Sequence, residues 1–323
     1  MTRLLSWDPA RRWSGWNSNI IVPASKDRQT RRAYPEAIPH SPDHVMNHYL
    51  TLAAFGLLAG AAIPLLRTGS GAVAVPLLYC SLTAQYPPDS AMHRLAMHVA
   101  VATSACVLAA TAGVSCLDAL RARIVSLRQA WPSCACAATG ALAGAMAALG
   151  CSPFRLRLLY VLYLAALVTL CALRFDRLAQ ARAAHAILPP RRPRRLPAPL
   201  DAFAVLAAGS LAAGAGVGGG AMTLPLMQRR EHSPQCAQAL AKMLAATAGL
   251  AASVVYVAAA WKQGRQLGQW QAGYIDVSAA ALLTAAVHLG MRLAQPFSDA
   301  LPEKLRVGAY MGLLLAALFK MTV

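Results

Sequence analysis

The sequence predicts an all-α polytopic membrane protein of about eight transmembrane helices, built as two internal repeats with broken, Gly-rich helices. Three observations carry this expectation. Of the 323 residues, 57% are apolar and only 13% are charged, against about 25% charged in soluble domains. The charge is also segregated: long runs of Ala, Leu, Val and Gly alternate with short Arg-bearing stretches, whereas a soluble protein spreads charge along every helix. Finally, Gly216-Val217-Gly218-Gly219-Gly220-Ala221-Met222-Thr223-Leu224-Pro225-Leu226 returns in eroded form 149 residues earlier, as Arg67-Thr68-Gly69-Ser70-Gly71-Ala72-Val73-Ala74-Val75-Pro76-Leu77.

Taken in chain order, residues 1–45 form a polar, basic tail without the apolar core of a signal peptide. Trp7, Trp13 and Trp16 beside Arg3, Arg11 and Arg12 suit either a weak interfacial anchor or a disordered tail; translation from Met46 would remove the segment altogether. Apolar segments then fall near 46–66, 71–82, 92–115, 133–150, 156–174, 200–228, 237–261, 271–293 and 304–321. A span needs about 20 residues, so 200–228 is too long for one helix and too short for two. It reads as a broken helix or tight hairpin, with 46–82 as its counterpart. The halves are thus 46–174 and 200–323, joined by a basic, Pro-rich linker, 175–199, which contains Pro189-Pro190-Arg191-Arg192-Pro193-Arg194-Arg195.

The repeat extends beyond the glycines. Pro153, Leu156 and Arg157 return as Pro302, Leu305 and Arg306, each set opening the last helix of its half. Between these anchors the register slips, so that His98 and Thr103-Ser104 pair with Lys242 and Thr247-Ala248; extra loop residues around Gln85-Tyr86-Pro87-Pro88 account for the slip. With the N-terminus inside, the tail, the linker and the other even-numbered loops carry most of the Lys and Arg. The expectation is an inner-membrane protein with both termini and the linker cytoplasmic.

The net charge of +18 raises the question of nucleic acid, but these arginines flank apolar spans and form no basic stripe. The cysteines lie mostly within apolar segments. Cys134 and Cys136 have no His or acidic neighbour, so no metal site is expected. There is no Ser/His/Asp set and no phosphate-binding loop: neither an enzyme nor a cofactor is indicated.

A glycine cluster followed by a proline cannot continue a straight helix. In a membrane, backbone freed in this way is tolerated where it is buried in protein or lines a cavity. Such a break presents free N–H groups and the positive end of a helix dipole. Duplicated breaks in corresponding positions mark a transporter's binding site; the bland alternative is close helix packing on small residues. No Asp or Glu falls mid-span, while Arg67, His98 and Lys242 do enter apolar segments. That balance favours an anion, although Arg67 and Lys242 are equally placed to snorkel to an interface. His288 and Asp276, 12 residues apart and hence about 18 Å along a helix, cannot pair directly.

The motif G-x-G-G-G-x-x-x-x-P-x-L, the Ala-x-x-Thr-Ser turn of the next helix and the closing Leu-Pro-x-x-Leu-Arg helix resemble the TauE/SafE sulfite exporter family over roughly 46–321. The second half carries Gly216, Gly218, Gly219, Gly220 and Pro225. The first departs, with Arg67 for the first glycine and Ser70 for a central one. The resemblance implies export or import of small sulfur-containing or carboxylate anions. The expected site has backbone donors from Gly69, Ser70, Gly71, Gly218, Gly219 and Gly220, and hydroxyls from Thr103, Ser104 and Thr247. Charge would come from Arg67 and Lys242, while Pro76 and Pro225 fix where each broken helix restarts. A small anion, the lipid bilayer and a coupling ion such as H+ are the expected partners. A membrane-embedded scaffold without transport activity is the competing reading.

Overall fold

The computed structural model describes residues 42–66, 71–184, 198–214, 227, 234–262, 271–297 and 302–322. The chain divides into two units, Met1–Val45 and Met46–Val323. The second holds the apolar helices, and the expectations for the tail lie outside the described residues. The helices are α1 (Pro42–Leu66), α2 (Gly71–Gln85), α3 (Ala91–Arg121), α4 (Leu127–Gly150), α5 (Pro153–Ala184), α6 (Ala198–Gly214), α7 (Pro234–Lys262), α8 (Val277–Ala294) and α9 (Glu303–Thr322). A small antiparallel hairpin, β1 (Gln271–Ala272) and β2 (Ile275–Asp276), precedes α8.

Local chemistry explains the helix starts. Proline, which needs no N–H partner at a first helical position, opens α1, α5 and α7. Ser90 caps α3 by accepting from the His93 amide at 3.1 Å, and Asp276 caps α8 by accepting from the Ala279 amide at 3.0 Å. Each cap satisfies an otherwise orphaned donor. Among the described residues six helices are long and apolar enough to cross a membrane: Ala91–Arg121, Ala130–Gly150, Pro153–Leu173, Gln235–Trp261, Val277–Phe297 and Leu305–Thr322. A shorter apolar stretch, Tyr49–Leu65, lies in α1. Large apolar side chains such as Phe55, Leu58, Leu162, Phe203, Val254 and Phe319 are exposed, as lipid-facing positions require. The protein is a multi-pass, all-α membrane protein.

Three details differ from the sequence expectation. Helix α5 continues past 174 to Ala184, because charge ends the apolar run there without ending helix propensity. The segment expected as one span from 271 begins with the hairpin, turned by Gly273 at φ +70°. The first half, expected as a four-helix repeat with 46–82 as a broken helix or hairpin, comprises five helices among the described residues, since α1 ends at Leu66 and α2 begins at Gly71.

Helix α3 is the central element, packed against α2, α5, α7 and α8. It runs antiparallel to α7: Leu108 and Ala112 cluster with Ala245 and Ala246, and a Cβ on Gly249 would lie 2.9 Å from the Ala105 carbonyl oxygen. Helices α5 and α9 are also antiparallel, since Arg157 Nε, at the start of α5, donates to the Met321 carbonyl at the end of α9 at 2.8 Å. Two further contacts cross between halves. Helix α1 lies along α8, with Tyr49 beside Ser278 and Gly60 against the backbone of Val287. Helix α6 lies on α4, with Gly209 against the backbone of Ala137 and Ser210 Oγ donating to the Gly140 carbonyl at 2.9 Å. A side chain at Gly60 or Gly209 would collide with the facing main chain, so small residues set these helix distances.

Candidate functional site

The middle of α3 is the most enclosed polar region. Among the described residues the buried polar side chains are His98, Thr103, Ser104 and Thr111, and no carboxylate is buried. All four lie on α3. Apolar neighbours on every side, Val99 to Ala102 and Ala105, bury this stretch.

Thr103 Oγ1 accepts from the backbone N–H of Asp276 at 3.1 Å, leaving its own hydroxyl hydrogen available to a further acceptor. Asp276 Oδ1 also accepts from Ser278 Oγ at 2.7 Å, and Tyr49 Oη donates to Ser278 Oγ at 3.2 Å. This chain of polar groups ties α1, the hairpin and α8 to α3. Nearby, at the end of α2, burial pushes the Tyr86 phenol up from its ordinary value, and the Asp276 carboxylate adds to the shift. Ser104 Oγ donates to the Val101 carbonyl of its own helix at 2.9 Å.

Thr247 sits on α7, half-buried, with its hydroxyl directed at the Met243 and Leu244 carbonyls at 3.1 and 3.0 Å. The Cys134 thiol of α4 lies within hydrogen-bonding reach of it. Thr103, from the first half, thus faces the start of α8 in the second, while Thr247, from the second half, faces α4 in the first. Lys242 is exposed, although Ala241 and Met243 on either side are buried. That is the orientation of a lysine reaching toward an interface.

Of the expected backbone donors, Gly71 is the first residue of α2. Arg67, Gly69, Ser70, Gly218, Gly219, Gly220 and Pro225 lie outside the described residues. Pro76 corrects the expectation that it marks a restart: it is buried inside α2, and the helix resumes at Gly71, ahead of it. Its missing N–H removes one bond of the helix ladder.

His98, in the second turn of α3, is 5% exposed. Its Nε2 lies 3.2 Å from the carbonyl oxygen of Cys151, the residue that closes α4. Its ring is 6.2 Å from that of Tyr274 in the hairpin. The sequence expectation had no place for the hairpin with Tyr274, or for Tyr49, and considered Asp276 only as a discounted partner of His288. The available signal was Gly273-Tyr274-Ile275, a turn glycine followed by two residues that favour strands. No three His, Cys, Asp or Glu side chains converge for a metal among the described residues.

The family model of the sulfite exporter TauE/SafE matches residues 52–321. Neither the curated proteins nor the solved structures contain a match to this chain.

Proposed function

Because the chain belongs to the TauE/SafE sulfite exporter family, a family of membrane transporters, we propose that it moves a small anion across the cytoplasmic membrane by alternating access. Sulfite, an organosulfonate and a related carboxylate are the substrates in view. The observation that carries this reading is the enclosed stretch of α3, where hydroxyls and a histidine are buried and, among the described residues, no carboxylate is. A buried carboxylate would repel an anion and attract a metal cation; hydroxyls and backbone N–H groups suit an oxyanion. We assign Thr103 and Ser104 to the substrate, with Thr247 from α7. Arg67, Gly69, Ser70, Gly71 and Gly218 to Gly220 would complete the cradle, and Lys242 would add positive potential from the rim. Ser104 and Thr247 hold their hydroxyl hydrogens on their own helices, so each would rotate to donate.

The two repeats in this reading are inverted. Corresponding helices, α3 with α7 and α5 with α9, run antiparallel, as a twofold axis in the membrane plane demands. The crossed contacts support it as well. Gly60 against Val287 and Gly290 against Leu57 correspond to Gly209 against Ala137 and Gly140 against Leu206; Gly60 and Leu57 map onto Gly209 and Leu206 at the offset of 149 that relates the glycine motifs. Inversion puts the linker on the side opposite both termini. This replaces the arrangement expected from charge counting alone, in which all three share the cytoplasm. The arginines at 121, 123 and 128 fall on the linker's side, so we place the linker inside and the termini outside.

The test is thermal stabilisation of purified protein by sulfite, sulfate, thiosulfate, sulfoacetate and acetate, with an Arg67→Ala variant alongside. Selective stabilisation that the variant lacks is the expected result. No shift with any anion in a folded sample would favour the scaffold instead.

A further inference from the structure

The hydrogen bonding of His98 defines its tautomer. A carbonyl only accepts, so the Nε2 facing the Cys151 oxygen at 3.2 Å carries the hydrogen. In the neutral ring Nδ1 is then a bare lone pair, and it is buried without a hydrogen bond. The Ala148 carbonyl also lies near the ring. A proton on Nδ1 would put the ring's charge beside the C-terminal end of α4, the negative end of its dipole. The ring thus leaves one buried nitrogen vacant for a proton.

We propose that His98 is a proton-binding site that couples anion movement to a proton gradient. The inference rests on the transport reading above and assigns its coupling ion. His98 and Thr103 are five residues apart on α3, about 7.5 Å along the axis. A proton on the ring therefore brings positive charge close to the hydroxyls assigned to the anion. Each ligand strengthens the other's binding, and by linkage the effect is reciprocal, typically about 5- to 150-fold. The sign predicts symport, with both loaded from the more acidic side.

The titratable and charged groups that packed elements bring to this end of α3 are few. Among the described residues the hairpin supplies Tyr274 and Asp276, Cys151 caps α4, Tyr86 follows α2, α5 supplies Arg157 and Tyr160, and α7 supplies Tyr256. The hairpin touches both groups, since Tyr274 adjoins the ring and Asp276 is held by Thr103. The repeat mate of His98 is Lys242, so at this repeat position the first half carries an imidazole where the second carries an amine.

Full-length protein in liposomes separates the questions. Radiolabelled sulfite counterflow at equal pH on both sides reports transport without coupling. Accumulation driven by an imposed pH gradient reports coupling, as does a pH dye inside the vesicles at alkaline pH, where sulfite is the dianion and carries no proton itself. Wild type should accumulate sulfite against its gradient and move protons with it. In His98→Gln, whose amide still donates to Cys151, the ratio of accumulation to counterflow should fall at least about tenfold. Absence of counterflow in wild type would overturn the transport reading itself. Counterflow without proton movement in wild type would overturn the proton site whatever the variant does, and an unchanged ratio in H98Q or H98N would do the same.

Discussion

Thr103 matters most among the site residues, because its hydroxyl serves two structures at once. It accepts from the Asp276 amide across 173 positions of sequence and can still donate. Thr103→Val keeps the shape but strands that amide, a loss of about 1–3 kcal/mol. We expect a lower melting temperature together with reduced sulfite counterflow. Thr247→Val removes a hydroxyl that bonds its own helix carbonyls, a type of bond that adds little to helix stability. It should depress counterflow while shifting the melting temperature less than Thr103→Val does, and equal shifts would argue against the unequal roles. The sequence pointed to both threonines through their place in the repeat. It was silent on Tyr49 and weighed Asp276 only against His288, since a contact between a backbone amide and a distant hydroxyl leaves no local pattern. It left Lys242 between the anion and an interface, and the fold leaves the side chain exposed.

Among the elements, the crossed helix pairs respond most directly to substitution. A methyl group at Gly60 would enter the backbone of Val287, and one at Gly209 that of Ala137. Overpacking of this kind costs about 1–3 kcal/mol. Gly60→Ala and Gly209→Ala should therefore each lower the melting temperature in detergent, and by similar amounts if the pairs are equivalent. Gly113 in α3 has nothing within 4 Å of its would-be Cβ, so Gly113→Ala should be neutral or stabilising by up to about 1 kcal/mol through helix propensity. A loss at Gly113 matching that at Gly60 would contradict the packing described. Helix identity was legible because apolar runs and prolines report it directly. The extension of α5 to Ala184 was not, because hydropathy falls at Arg174 while the backbone stays helical. The hairpin at 271–276 was hidden inside an apolar run whose period alone cannot separate strand from helix.

At the level of the whole molecule, membrane class and family were readable from charge segregation and the duplicated glycine motif, and the match over 52–321 agrees with that reading. The relative direction of the halves was not readable, since a repeat aligned in sequence looks the same whether parallel or inverted. Antiparallel α3 and α7 support the inverted arrangement proposed above. Reporter or cysteine-labelling tags placed in the 185–197 linker and after Val323 should report opposite sides of the membrane, and tags on the same side would refute inversion.

If this chain passes a small anion through a cradle of duplicated glycines and α3 hydroxyls, the glycines must matter for flux and not for folding. Sulfite counterflow in liposomes, comparing wild type with the Gly219→Ala/Gly220→Ala double variant at matched incorporation, is the decisive measurement. We expect saturable exchange in wild type and at least about a tenfold loss in the variant, with its melting temperature retained. Exchange at the wild-type rate in the folded variant would contradict the cradle, and no exchange of any tested anion by wild type would contradict transport.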